Sequence, residues 1–214
     1  MQSASVWDRI NWGRNVAART VGCPVDAYRP QDGSAPLAAG NRYLRLHALF
    51  TAAQGDGRHG GSHSAPVWQG CFDAAYTRAG DYLVEGDTVW FIASQRPMGP
   101  LLCLQTNRQV MFMRPSVPDV ATTSTYGGVT AATNRTISEK WPASVLNGGA
   151  GGTPSAGLPG DNLASIWAVL LPPSFTLALL PSDIIQDDLG RNSVVMSSEK
   201  TSLGLRILAK QASA

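Results

Sequence analysis

The chain has 214 residues, of which 43% are hydrophobic and 15% charged, with a net charge of +2. That length admits one large β domain or two small ones, and so slight a charge excludes a nucleic-acid binder that relies on a basic face. A charged share below the ~25% usual in soluble domains has two readings: surfaces buried by assembly, or loops rich in Gly, Ala and Thr that are polar without charge.

Residues 6–21 form the first expected element, a helix capped by Ser3 or Ser5. Val6, Ile10, Ala17 and Val21 recur at helical spacing, and Gly22 with Pro24 ends it. Arg9, Arg14 and Arg19 are five apart and therefore spread around it. The helix is either a packing element with solvated arginines or one that docks onto a partner subunit or a phosphate backbone. Residues 23–37 carry three prolines and are expected to be extended and turn-rich. Residues 41–46 alternate as a strand, 54–64 (QGDGRHGGSHS) read as an exposed loop, and 67–72 return to strand character.

Residues 80–114 carry the strongest local pattern. A short apolar run, 82–84, is followed by the turn Glu85-Gly86-Asp87, a strand over 88–94, a break at Pro97-Met98-Gly99-Pro100 and a long apolar run over 101–113. Such spacing predicts a three-strand antiparallel meander. Residues 122–136 read as an edge strand or as an arm ordered on assembly, and 141–146 as a strand. Residues 147–160 (NGGAGGTPSAGLPG) have the composition of a linker. Two strands are expected over 163–180, split by Pro172-Pro173, which also leaves the longest apolar run too short to span a bilayer.

The end of the chain repeats the pattern of 80–114. Ser182-Asp183-Ile184-Ile185 stands where Gly80-Asp81-Tyr82-Leu83 stood, and Asp187-Asp188-Leu189-Gly190 replaces the acidic turn. Residues 193–197 answer to the segment with Trp90 and Ile92, and 205–210 to the run beginning at Leu101. This layout predicts an internal duplication. The expected fold is mainly β: two small antiparallel β-barrel or sandwich modules behind an N-terminal α-helix. Its parts are a helix over 1–22, a first module with long loops over 23–146, a linker over 147–160 and a smaller second module over 161–214.

Little in the chain points to catalysis. His59 and His63 are four apart, but glycines around them deny the helix that gives such spacing its meaning, and Asp56 is the third candidate ligand. His47 is expected to be packed or hydrogen-bonded. Cys23, Cys71 and Cys103 lack the spacing of a zinc site or a disulfide scaffold and are expected to be reduced and packed. No GxSxG occurs, the Gly-rich segment lacks the GK[S/T] of a phosphate cradle, and Asp187-Asp188 reads as a hairpin turn before a cation site. Asn134-Arg135-Thr136 fits a glycosylation sequon, but no N-terminal apolar core marks the chain for secretion. No cofactor and no metal are expected.

Three stretches resemble structural proteins of tailed bacteriophages: DAYRP…PLAAGNRYLRLHALF over 26–50, WQGCFDAAYTRAGDYLVEGDTVWFIASQRPMGPLLCLQTNR over 68–108, and DDLGRNSVVMSSEKTSLGLRILAKQ over 187–211. The repeated layout is also similar to the β-barrel proteins that join phage heads to tails. The resemblance implies a non-enzymatic, ring-forming head–tail connector or neck subunit, located in the virion. Its partners would be further copies of itself and portal, adaptor or tail proteins, with passing contact to DNA and none to a membrane. A tail-tube end or baseplate adaptor is the alternative, and a small cytoplasmic metal-binding or hydrolytic enzyme stands apart from both. Expected interface residues are Trp7, Trp12, Arg14 and Arg19 on the helix and Arg58, His59 and His63 in the loop, since Trp and Arg most often dominate interface energy.

Overall fold

The computed structural model describes residues 2–31, 35–52, 67–115, 134–147 and 166–211, with side chains from residue 6 onward. After helix α1 (Gln2–Val21) come β1 (Cys23–Tyr28), a 3-10 turn (Ala39–Asn41), β2 (Arg42–Ala52), β3 (Val67–Cys71), β4 (Tyr82–Glu85), β5 (Thr88–Gln95) and β6 (Leu101–Gln105). These six strands close an antiparallel barrel in the order β1-β2-β3-β6-β5-β4, with β4 returning to β1. The expected meander is present as β4-β5-β6. Its last run is not one strand, however. The chain leaves the barrel at Thr106-Asn107 and enters a second sheet as β7 (Arg108–Pro115).

That sheet continues with β8 (Asn134–Thr136), β9 (Trp141–Asn147), β10 (Ile166–Leu171), β11 (Ile184–Asp187), β12 (Asn192–Thr201) and β13 (Gly204–Gln211), in the order β11-β12-β13-β10-β9-β7-β8. β11 also pairs with β7, so six of its strands close on themselves, and β8 pairs with the far end of β7 on the same edge as β9. Closure leaves those six strands without open edges. Laid against the first barrel, this order matches strand for strand: β7, β9, β10, β11, β12 and β13 take the places of β1 to β6.

The match extends to single residues. Ala27 faces Leu83 as Phe112 faces Ile185. Ile92 faces Cys103 as Val195 faces Ala209, and each register slips at the next residue, so both barrels carry a bulge at the same point. The expected duplication is therefore in the fold, but its boundary is not where composition placed it. The second sheet begins at Arg108, and residues 147–160 join β9 to β10 within it, as 53–66 join β2 to β3 in the first. Residues 53–66, most of 122–136 and 148–165 lie outside the described residues. Of the two strands expected over 163–180, the one before Pro172 is present as β10, and 174–180 form no strand.

Each barrel is fastened at its closing seam by the same device. Arg29, just after β1, donates from Nε and Nη2 to the two oxygens of Asp81 at 3.0 and 2.8 Å, and Nη2 also donates to the Tyr76 carbonyl. Arg114, at the end of β7, does the same to Asp183 at 2.8 and 2.8 Å and to the Ala178 carbonyl. Both carboxylates accept a backbone N–H three residues upstream, from Arg78 and Leu180. Both aspartates are 1–2% exposed. A carboxylate so deeply placed is tolerable only with its lone pairs filled, and a bidentate guanidinium with backbone donors fills them.

The helix meets the first barrel by a different face from the one expected. Trp7, Ile10, Asn11, Arg14 and Ala18 turn inward, while Val6, Ala17 and Val21 are exposed. The cause is the tight joint at Gly22, where a Cβ would lie 2.6 Å from the carbonyl oxygens of Ala18 and Ala48. No Cβ fits there, so glycine is required at the joint, and Ala18 one turn earlier is fully buried against the barrel. Ser3 and Ser5 lie within the helix and do not cap it.

Burial pushes the Asp183 carboxyl upward, but the Arg114 guanidinium and the Leu180 amide outweigh it and hold the group below the usual carboxylate range. Asp187 is held low in the same way by Arg191 and the Arg191 and Leu189 amides. Groups whose folded pKa is depressed stabilise above the unfolded value and cease to do so as pH falls through the folded one. Stability should therefore drop below about pH 4, the unfolded carboxylate value, and Asp183→Asn should flatten that slope in urea titrations between pH 2 and 5. At pH 7, Asp183→Ala should cost about 3 kcal/mol, the lower end for breaking a buried pair because the guanidinium keeps an exposed edge.

Candidate interaction surface

A cluster of aromatic rings lies where the barrels meet. In the first barrel Leu83 and Ile92 point inward to a core with Val25, Ala27, Phe72 and Trp90. Alternation along the strands sends Tyr82, Phe91, Ala93 and Leu104 outward, yet these are 0–4% exposed because they join the core of the second barrel. There they meet Val110, Phe112, Trp141 and Phe175. Tyr82 lies 6.3 Å from the Trp141 ring and 6.1 Å from Phe91, and its hydroxyl donates to the Pro142 carbonyl at 2.8 Å. Ser174 Oγ donates to the Gly80 carbonyl at 2.7 Å. Gly80 has φ +99°, and a Cβ there would lie 2.8 Å from that of Ser174. Only glycine fits both the backbone and the contact.

One recess lies at this joint and another on the helix side of the first barrel. One, of about 410 Å³, opens beside the joint between Pro30, Gln31, Ile137, Glu139, Trp141 and Phe175. The other, about 510 Å³, lies between α1 and β2 and is walled by Arg19, Leu44, Leu46, His47, Asp73 and Tyr76. His47, expected to be packed or hydrogen-bonded, is exposed at its edge. The hydrogen bonds of Asn15 to Asp73 and of Arg14 to the Gly99 carbonyl hold the helix over this side of the barrel.

The residues singled out from sequence do not form one cluster. Trp7 packs against the first core with the Arg14 guanidinium 5.6 Å from its ring centre. Trp12 faces away, 71% exposed, and Arg19 lines the larger recess. Arg58, His59 and His63 lie outside the described residues. What composition did not mark is the group around Asp81, where the Tyr43 hydroxyl adds a donor at 2.7 Å and the Arg29 guanidinium stacks 4.3 Å from the Tyr43 ring centre. Burial, then the bond to Asp81, pushes the Tyr43 phenol far upward. Val194 and Met196, two of the exposed apolar residues of the second barrel, were not marked either.

The chemistry of these groups is that of fastening. Asp81 and Asp183 are occupied by their own arginines, and Asp187 accepts from the Leu189 and Arg191 amides and from Arg191 Nε, the hairpin turn expected of it. Among the described residues no three His, Cys, Asp or Glu side chains are grouped to hold a metal. Burial pushes the Cys103 thiol far above its ordinary range and raises that of Cys71 as well. Cys23 is exposed rather than packed, and a hydrogen bond with Glu85 raises its thiol. No helix among the described residues is long and apolar enough to cross a membrane.

The two helix tryptophans should respond differently to truncation. Trp7→Ala should cost about 2 kcal/mol, since it opens a half-buried aromatic contact, whereas Trp12→Ala should shift stability by less than about 0.5 kcal/mol. Equilibrium urea unfolding of both variants measures the difference. No known protein family, curated protein or solved structure matches the chain.

Proposed function

We propose that the chain is a non-enzymatic structural subunit of a tailed-phage particle, forming a ring at the head–tail junction between portal and tail. The observation that carries this reading is the tandem pair of like barrels, fastened by matching Asp–Arg forks and joined through a dry aromatic contact. A module that already docks onto a near-copy of itself has the geometry from which rings are built. The segments that resemble phage structural proteins fall largely on barrel strands: 26–50 on β1 and β2, 68–108 on β3 to β6, and 187–211 on β12 and β13.

The second barrel also favours a neighbouring reading. Two barrels in one subunit serve as well at the end of a tail tube or in a baseplate adaptor, where a subunit must bridge layers of a particle. Both readings place the chain in the virion, and they differ in where along it.

Native mass spectrometry of the purified chain tests the ring, and electron microscopy of particles with gold-labelled antibody tests the position. A closed oligomer and a label at the neck are the expected results. A label at the distal tail selects the adaptor reading. A monomer that takes up stoichiometric metal and is absent from particles overturns the structural role.

A further inference from the structure

The internal repeat lets each surface of one barrel be compared with the same surface of the other. Pairing registers place Ile184 at the position of Tyr82, Val194 at that of Phe91, Met196 at that of Ala93 and Lys210 at that of Leu104. In the first barrel this outward face is covered by the second: Tyr82, Phe91 and Ala93 are all 0% exposed. In the second barrel the same face is bare. Met196 is 50% exposed, Val194 37%, and Ile184 is half-buried. An apolar face that is covered at one copy of a repeat and open at the other has a defined partner shape, because the covered copy displays it.

The receiving side can be read in the same way. Val110 faces Trp141 as Val25 faces Leu46, so Pro142, which accepts the Tyr82 hydroxyl, corresponds to His47 on β2. In the second barrel this position is filled by the first. In the first barrel it borders the recess of about 510 Å³, walled on one side by Asn15 and Arg19 of α1 and on the other by Leu44, Leu46, His47 and Tyr76, with the last 66% exposed. One chain thus carries an uncovered face on its second barrel and, on its first, an open recess beside α1 at the equivalent seat.

We infer that the bare face of the second barrel, centred on Val194 and Met196, docks into the recess beside β2 of the first barrel in another copy of this chain. The contact repeats between chains the one that joins the barrels within a chain. Face and seat are different surfaces, so the contact is head-to-tail and each added copy presents a fresh face. Such contacts close into rings where the rotation permits. The ring would alternate first and second barrels around its circumference. This deepens the ring reading by naming its surface.

Two variants and their mixture test it. Met196→Glu spoils the face, and Tyr76→Glu spoils the seat. Both positions are at least half exposed, and circular dichroism confirms that each variant keeps its fold. By native mass spectrometry and light scattering, the wild type is expected to oligomerise and each variant alone to be monomeric, with association weakened at least tenfold. Mixed in equal amounts, the variants are expected to form a one-to-one dimer that grows no further, since one retains a sound face and the other a sound seat. A photo-crosslinker at Met196, in a mixture of isotopically light and heavy chains, should join light to heavy near His47. Oligomers that persist in Met196→Glu overturn this surface and leave the ring standing. Crosslinks between two Met196 regions overturn the head-to-tail contact. A wild type that stays monomeric at every concentration overturns both.

Discussion

Closing a barrel whose first and last strands lie far apart in the chain is the constraint on which this structure depends. β1 and β4 meet across more than fifty residues, as do β7 and β11, and the entropy of closing such loops opposes the pairing until local contacts repay it. The forks of Arg29 with Asp81 and of Arg114 with Asp183 stand at these two seams. Each links the strand that opens a barrel to the residue just before the strand that meets it. A carboxylate buried there is costly in any conformation that lacks its arginine. The fork therefore penalises slipped or open seams more than it rewards the closed one, which is how a buried ion pair specifies register.

Around that shared frame the two copies have diverged in ways that set their roles. The first barrel reinforces its fork with Tyr43, and its outward face carries Tyr82 and Phe91. The second has Ile184 and Val194 at those positions, smaller and without a hydroxyl. The backbone before each fork takes positive φ in both copies, at Gly80 and Ser182. Ser174 presses against Gly80, and glycine is required there. The long strand β2 of the first barrel has its counterpart in two shorter pieces, β8 and β9, with residues 137–140 between them. Chain that would continue one strand is thereby released beside the joint, where Ile137 and Glu139 line a recess.

How much of this could be read from sequence depends on whether a feature was local. The repeat was legible because small-Asp, an apolar pair, an acidic turn and two strands follow one another within about thirty residues in each copy. The hairpins β4–β5 and β11–β12 are local in the same sense, and their turn residues, Gly86 and Gly190 at positive φ, signal them directly. The front half of the second copy was not legible, because the break at Thr106-Asn107 contains neither Gly nor Pro, and the polar stretch from Gln105 to Gln109 is its one local mark. A Gly-rich hairpin loop and a Gly-rich interdomain linker have the same composition, so 147–160 marked a boundary that lies some forty residues earlier. The helix face was misjudged by one position because the close approach at Gly22 and Ala48 is a tertiary fact. The forks join residues 52 and 69 apart, a distance over which no spacing rule operates.

The placement of the boundary at Thr106-Asn107 has a consequence for how the two barrels act mechanically. The interior core of the second barrel does not stop at its wall but continues through Trp141 and Phe175 to the outer face of the first, whereas the first keeps a separate core of its own. Asn107 adds a polar clasp at the crossing, donating from its side chain to the Val145 carbonyl and accepting from the Val145 amide at 2.9 and 2.8 Å. A hinge between the barrels would have to break that clasp and wet a contact lined by the rings of Tyr82, Phe91, Trp141 and Phe175, an exposure that costs about 25 cal/mol for each Å² of apolar surface. The pair is thus built to resist bending at the joint. Stiffness of that kind is what the proposed ring subunit requires.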